Sequence, residues 1–158
     1  MARSVPVPVV LALLALACGP DTAPPGRATI EFLTAPSGAA RSLPFSEAVR
    51  AGDFLFLSGQ IGTLRGTLQL APGGIEAEAG QAMDNIRAVL ERHGSSLDHV
   101  VKCTVFLADM RDWPAFNEVY RRYFETNFPA RSVLGASGLA LGARVEIECI
   151  AFAPAPGR

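Results

Sequence analysis

Few side chains in this sequence stand at spacings that support chemistry. The two histidines, His93 and His99, flank a helix end and a turn, and neither has a cysteine or carboxylate at metal-ligand spacing. Both read as solvated surface residues. Gly94-Ser95-Ser96 reads as a helix stop and cap rather than a nucleophile elbow, because no strand leads into it. Phosphate-cradling patterns of the GxxxxGK or GxGxxG kind do not occur. What remains is Arg131, behind Pro129-Ala130 at the mouth of a strand, and Glu146, inside Arg144–Phe152 (RVEIECIAF). A guanidinium can grip a carboxylate through two parallel hydrogen bonds. A carboxylate can orient a water and exchange protons with it. On residue types alone, a salt bridge and a ligand site account for this pair equally well.

The cysteines divide by position. Alternation puts Cys103 with Val101 and Val105, and Cys149 with Val145 and Ile147, so both face an apolar side. Two buried thiols are the expectation. In an exported chain a disulfide between neighbouring strands is the alternative. Cys18 stands apart, directly behind an apolar run.

These residues need elements to hold them. Phe45–Val49 and Asp53–Ile61 read as two strands joined by a turn over Arg50–Asp53. Gly62–Gly74, with four glycines and a proline, reads as loop. Ile75, Ala79, Met83, Ile86, Val89 and Leu90 recur at helical spacing, with Glu76, Glu78, Arg87 and Glu91 on other faces, and Gly94 ends the helix. Val100–Leu107 is β-branched and predicts a strand. Asp112 can cap a second helix, with Trp113, Phe116, Tyr120 and Phe124 as its apolar stripe and Pro129 as its stop. Ser132–Gly135 and Arg144–Phe152 complete the strands. The order ββ-α-β-α-ββ predicts an α+β domain with two helices packed on one face of a sheet.

The chain has 158 residues, 14 basic against 15 acidic, a net charge of −1 and 49% hydrophobic residues. Its mean hydropathy is +0.27. That length suits one domain, and the charge balance leaves no basic stripe for nucleic acid. Much of the apolar excess lies at the start. Val9–Ala17 reads VVLALLALA inside an uncharged stretch from Ser4 to Pro20, behind Arg3. That run is far below the roughly 20 residues that cross a bilayer as a helix, and it fits a secretory leader. Leu14–Cys18 (LALAC) resembles a bacterial lipoprotein cleavage box, which implies cleavage before Cys18 and lipid on its sulfur. An ordinary signal peptide and a buried N-terminal helix are the alternatives. Gly19 rather than Asp follows the cysteine, so inner-membrane retention is not signalled and the outer membrane is the expected address. The organisation expected is a leader over 1–17, a Pro/Gly-rich tether over 18–42 with a short strand at 29–33, a domain over 43–153 and a tail over 154–158.

LPFSEAVRAGDFLFLSGQIG, GGIEAEAGQAMDNIRAVLERHGSSLDHVVKCTVFLADM, FNEVYRRYF, FPARS and VEIECIAF, in this order, resemble the RidA (YjgF) family of reactive-intermediate deaminases. They cover nearly all of Leu43–Phe152. The resemblance implies a chorismate-mutase-like α+β fold, assembled as a homotrimer whose sheets form a central barrel with helices outside. Ligand clefts would lie between subunits. It further implies hydrolysis of 2-imino acids, formed from enamines, to 2-keto acids and ammonia, with no metal or organic cofactor. Carried over by motif, Arg131 would hold the substrate carboxylate and Glu146 would serve the attacking water. Phe45, Ser58, Gly59 and Asn117 would line or support the cleft. Phe45 stands where the family commonly has Tyr, and Val133 where it often has Cys. Phe45 and the leader motivate an alternative: a non-catalytic protein that holds a small carboxylate or a partner in the same cleft. The implied partners are therefore a small imino or keto acid, copies of the same chain and, through the lipid alone, a membrane.

Overall fold

The computed structural model describes residues 29–35, 43–124 and 126–154. The expected leader, Cys18, most of the tether and the last four residues of the tail lie outside the described residues. The strands are β1 (Ile30–Leu33), β2 (Ala48–Ala51), β3 (Phe54–Leu57), β4 (Gln60–Ile61), β5 (Val100–Leu107), β6 (Ala130–Gly135) and β7 (Val145–Phe152). The helices are α1 (Ile75–Arg92) and α2 (Trp113–Tyr120). The sheet runs β1-β2-β3-β7-β5-β6, with β4 also on β7. All pairs are antiparallel except β5 and β6, which run parallel with α2 between them in the chain.

The hairpin is shifted from its expected place. Phe45–Glu47 is not strand, β2 continues through Ala51, and the turn narrows to Gly52-Asp53. Gly52 at φ 58° supplies the left-handed residue this tight reversal requires. The second expected strand is broken at Ser58-Gly59, so that Gln60-Ile61 can join β7 on its own.

Alternation divides the sheet into two faces. Leu55, Leu57, Cys103, Val105, Leu107, Val145, Ile147, Cys149 and Ala151 are buried on one of them. There they pack with Ala79, Met83, Ile86 and Leu90 of α1 and Phe116 and Val119 of α2 in a single core. Each large side chain so buried contributes about 1.5–3 kcal/mol. The other face is not covered by helices, and Phe54, Phe56 and Phe152 remain exposed on it, Phe54 and Phe152 edge to face at 5.8 Å. Beyond them, at the edge, Ile30 is 65% and Phe32 70% exposed.

Five local expectations are corrected. Asp112 does not cap α2, because its carboxylate accepts from the Arg144 guanidinium; Asp109 instead accepts from the backbone of Arg111, one turn earlier. The helix ends at Tyr120 in a 3₁₀ turn over Arg121–Tyr123, well before Pro129, and Trp113 is exposed rather than core. Glu78 is buried, not solvated, with its carboxylate accepting the Arg144 backbone N–H at 2.8 Å. Cys103 and Cys149 are joined in a disulfide, not two thiols. They stand directly opposite each other in the β5–β7 register and point to the same buried face, which is why they meet.

Candidate active site: two halves on opposite faces of one sheet

Arg131 lies on β6 beside Cys103 and therefore points to the helix face. Its Nη2 donates to Asn117 Oδ1 at 2.8 Å. The guanidinium lies 4.5 Å from the centre of the Tyr120 ring and 5.6 Å from that of Phe116. Such stacking fixes the plane of the fork while leaving its edge open. Asn117, Tyr120, Arg121, Phe128, Pro129 and Arg131 enclose a cleft of about 480 Å³. Among the described residues no carboxylate pairs with Arg131. An oriented guanidinium without its own anion has the geometry to accept a carboxylate in two parallel hydrogen bonds. Burial pushes the Tyr120 phenol up to about 12, with Arg131 pulling the other way, so the ring carries no charge against the cation.

Glu146 lies on β7 between Val145 and Ile147, both fully buried, and so points to the outer face. Gly59 sits against it. A Cβ on Gly59 would stand 1.9 Å from the Glu146 Oε1 and 2.8 Å from its carboxyl carbon, so a side chain there would push the carboxylate from this position. Ser58 holds this stretch in place. Its N–H donates to the Glu47 carbonyl at 3.1 Å, its hydroxyl to the Ser46 carbonyl at 2.7 Å, and its own carbonyl accepts from Gln60 at 3.2 Å. Phe45, the residue before Ser46, is exposed. Burial raises the Glu146 carboxyl above the ordinary value of 4.5, and the like charge of Glu148 on the same face raises it further.

Arg131 and Glu146 do not form a salt bridge. Between them lies β5, where Arg131 is level with Cys103 and Glu146 with Phe106. Two strand spacings and three residues of rise put their Cα atoms roughly 14 Å apart, on opposite faces. The chain thus brings Arg131 to Asn117, and Glu146 to Gly59, as two separate groups. Tyr120 was expected only as part of an apolar stripe; it is buried, and it is also the seat of Arg131. The spacing of Asn117, Tyr120 and Arg121, i, i+3 and i+4, was the available signal that one helix face lines the cleft.

His93 is half-buried rather than solvated, with Nε2 3.1 Å from Glu47, which also pairs with Arg92. His99 is exposed. Among the described residues no group of three His, Cys, Asp or Glu side chains is placed to hold a metal ion, and no helix is long and apolar enough to cross a membrane.

The family model for Endoribonuclease L-PSP matches residues 34–153. The 2-iminobutanoate/2-iminopropanoate deaminase of Capra hircus is 45% identical over 108 residues, which is 68% of this chain and 79% of that protein. The crystal structure of the yeast protein YEO7 superposes with a TM-score of 0.74 at 40% identity, over 79% of this chain and 99% of that one. RidA from an Antarctic Psychrobacter gives 0.71 at 34% identity, over 77% and 98%.

Proposed function

Since the chain belongs to the Endoribonuclease L-PSP family, to which the RidA and YjgF proteins it resembles also correspond, we propose that it hydrolyses 2-imino acids to 2-keto acids and ammonia. The observation that carries this reading is the Arg131 fork, oriented by Asn117 and two rings and open to a small carboxylate. The name of the goat relative supplies the substrate class.

The chemistry follows from the groups. Arg131 grips the substrate carboxylate in two parallel hydrogen bonds and so presents the imine carbon in one pose. Glu146, ionised, takes a proton from water as its oxygen attacks that carbon. Glu146 returns that proton to the nitrogen to give the tetrahedral amino alcohol, then relays the hydroxyl proton to the nitrogen as the C–N bond breaks, the carbonyl forms and ammonia leaves. Each turnover consumes one imine and one water and releases one keto acid and one ammonia. A raised carboxyl is a better base once ionised than an ordinary one, which suits the task.

Because one chain keeps Arg131 and Glu146 on opposite faces, the site is read as shared between neighbouring copies in a homotrimer. The uncovered apolar residues Phe32, Phe54, Phe56 and Phe152 support this, since an exposed apolar patch of that kind marks an interaction surface. Ammonia release from freshly generated iminopropanoate or iminobutanoate, compared with Arg131→Ala, tests the reaction. Wild-type protein without turnover sinks it; an acid bound in the cleft but not converted would instead identify a binding protein.

The leader is read as that of an exported lipoprotein anchored through Cys18 on the periplasmic side of the bacterial envelope. The Cys103–Cys149 disulfide supports export, because such bonds persist in oxidising compartments. Mass spectrometry of protein from its native host should find residue 18 as the lipidated N-terminus. An intact Met1–Cys18 segment would overturn the anchor.

A further inference from the structure

The cleft beside Arg131 holds a second cation that the proposed reaction does not use. Arg121 opens the 3₁₀ turn after α2 and lines the same cleft as Asn117, Tyr120 and Arg131. Its ionic contact is Glu118 at 3.6 Å, with both side chains more than 60% exposed. A pair that open is worth little and leaves the guanidinium free to turn inward. Phe128 and Pro129 supply an apolar wall, and none of the six lining residues is acidic. A three-carbon imino acid satisfies Arg131 and leaves Arg121 with only its open contact to Glu118.

From this we infer that the preferred substrates are 2-imino dicarboxylic acids, whose second carboxylate lies on Arg121 while the first lies on Arg131. The inference rests on the proposed imine hydrolysis and names its substrate class. The carbon chain between the two carboxylates runs along Phe128, and Arg121 acts as a specificity-determining residue. A medium-length dicarboxylate spans the two cations with only methylenes between them, so little polar surface is buried without a partner.

The test compares kcat/KM for 2-iminobutanedioate and 2-iminopropanoate, each generated freshly from the corresponding amino acid by an oxidase. Wild type should favour the dicarboxylate, and Arg121→Gln should lower the ratio of the two values by at least about tenfold. Arg121→Lys, which keeps the charge, should restore part of it. Arg65→Gln, a change of charge outside this cleft, should leave the ratio alone. Calorimetric titration with the keto products 2-oxobutanedioate and 2-oxopropanoate gives the same ordering without turnover. Tighter binding of the dicarboxylate, lost in Arg121→Gln, supports the inference even if no imine is hydrolysed, an outcome that would overturn only the reaction. A wild type that prefers the monocarboxylate, or a ratio indifferent to Arg121→Gln, overturns the inference while leaving imine hydrolysis standing.

Discussion

Arg131 and Glu146 stand on the two faces of one sheet, and the fold treats them in opposite ways. On the helix face Arg131 is accommodated: Asn117 accepts its hydrogen bond and two rings lie beneath it. On the outer face Glu146 is confined. It is half-buried, it has Glu148 as a like-charged neighbour, and a side chain at residue 59 would push it from its position. Packing therefore stabilises the arginine and works against the ionised acid. Residues kept against the interest of stability are those a site retains for use.

The largest effects should come from removing each group. Glu146→Gln should lower kcat by a factor on the order of 10³, and Arg131→Ala should lower kcat/KM by roughly 10²–10³. Their stabilities should move apart. A carboxyl whose folded pKa is raised contributes stability below its unfolded pKa and loses it as pH rises through the folded one. At neutral pH, Glu146→Gln should therefore raise the unfolding midpoint, and the gain should fade on acidification. Arg131→Ala should lower the midpoint by taking packing from Tyr120 and Phe116. Co-expression of the two variants tests whether the halves meet between chains. Random mixing in a closed three-fold ring makes about one site in four from intact groups. A mixture no more active than either variant would place both halves in one chain.

The helix face is also where the disulfide lies, level with Arg131. Closing a loop with a sequence separation of 46 residues should contribute on the order of 4 kcal/mol. The double variant Cys103→Ala, Cys149→Ala should unfold at correspondingly lower urea, and an unchanged midpoint would show the bond to be dispensable. On the other face, Gly59→Ala forces the Glu146 carboxylate aside. That change should lower kcat about tenfold, a barrier of roughly 1.4 kcal/mol, with the fold retained by circular dichroism.

The fold was legible where periodicity is strong. The α1 spacing from Ile75 to Leu90, the β-branched run of β5 and the alternation of β7 all reflect burial on one face, and burial is what pattern reports. The α+β class with helices on one face followed from them. The misplacements have local causes. Asp112 has the side chain of a helix cap, but a distant Arg144 claims it, which no local rule reveals. Cys103 and Cys149 pair because of strand register, and register belongs to the assembled sheet. The proposed site residues were chosen by residue type and resemblance rather than by geometry. Arg131 and Glu146 stood out, but the β5 strand that sets them on opposite faces becomes visible only when the strand order is known.

The finest difference between the faces is electrostatic, and Glu148 isolates it. Arg131 meets no second cation on its own strand, whereas Glu146 has a like charge two residues away on the same face. Glu148→Gln removes that charge without touching the burial that is the larger cause of the raised carboxyl. The pKa of Glu146 should then fall, so the acid limb of kcat/KM, where the catalytic base becomes ionised, should move to lower pH. Because burial persists, the limb should stay above the ordinary carboxylate value of 4.5. Stability at neutral pH should rise slightly, for the reason that applies to Glu146→Gln. An acid limb that does not move in Glu148→Gln, or that moves to higher pH, would mean that it reports a group other than Glu146, and the base would have to be sought elsewhere on the outer face.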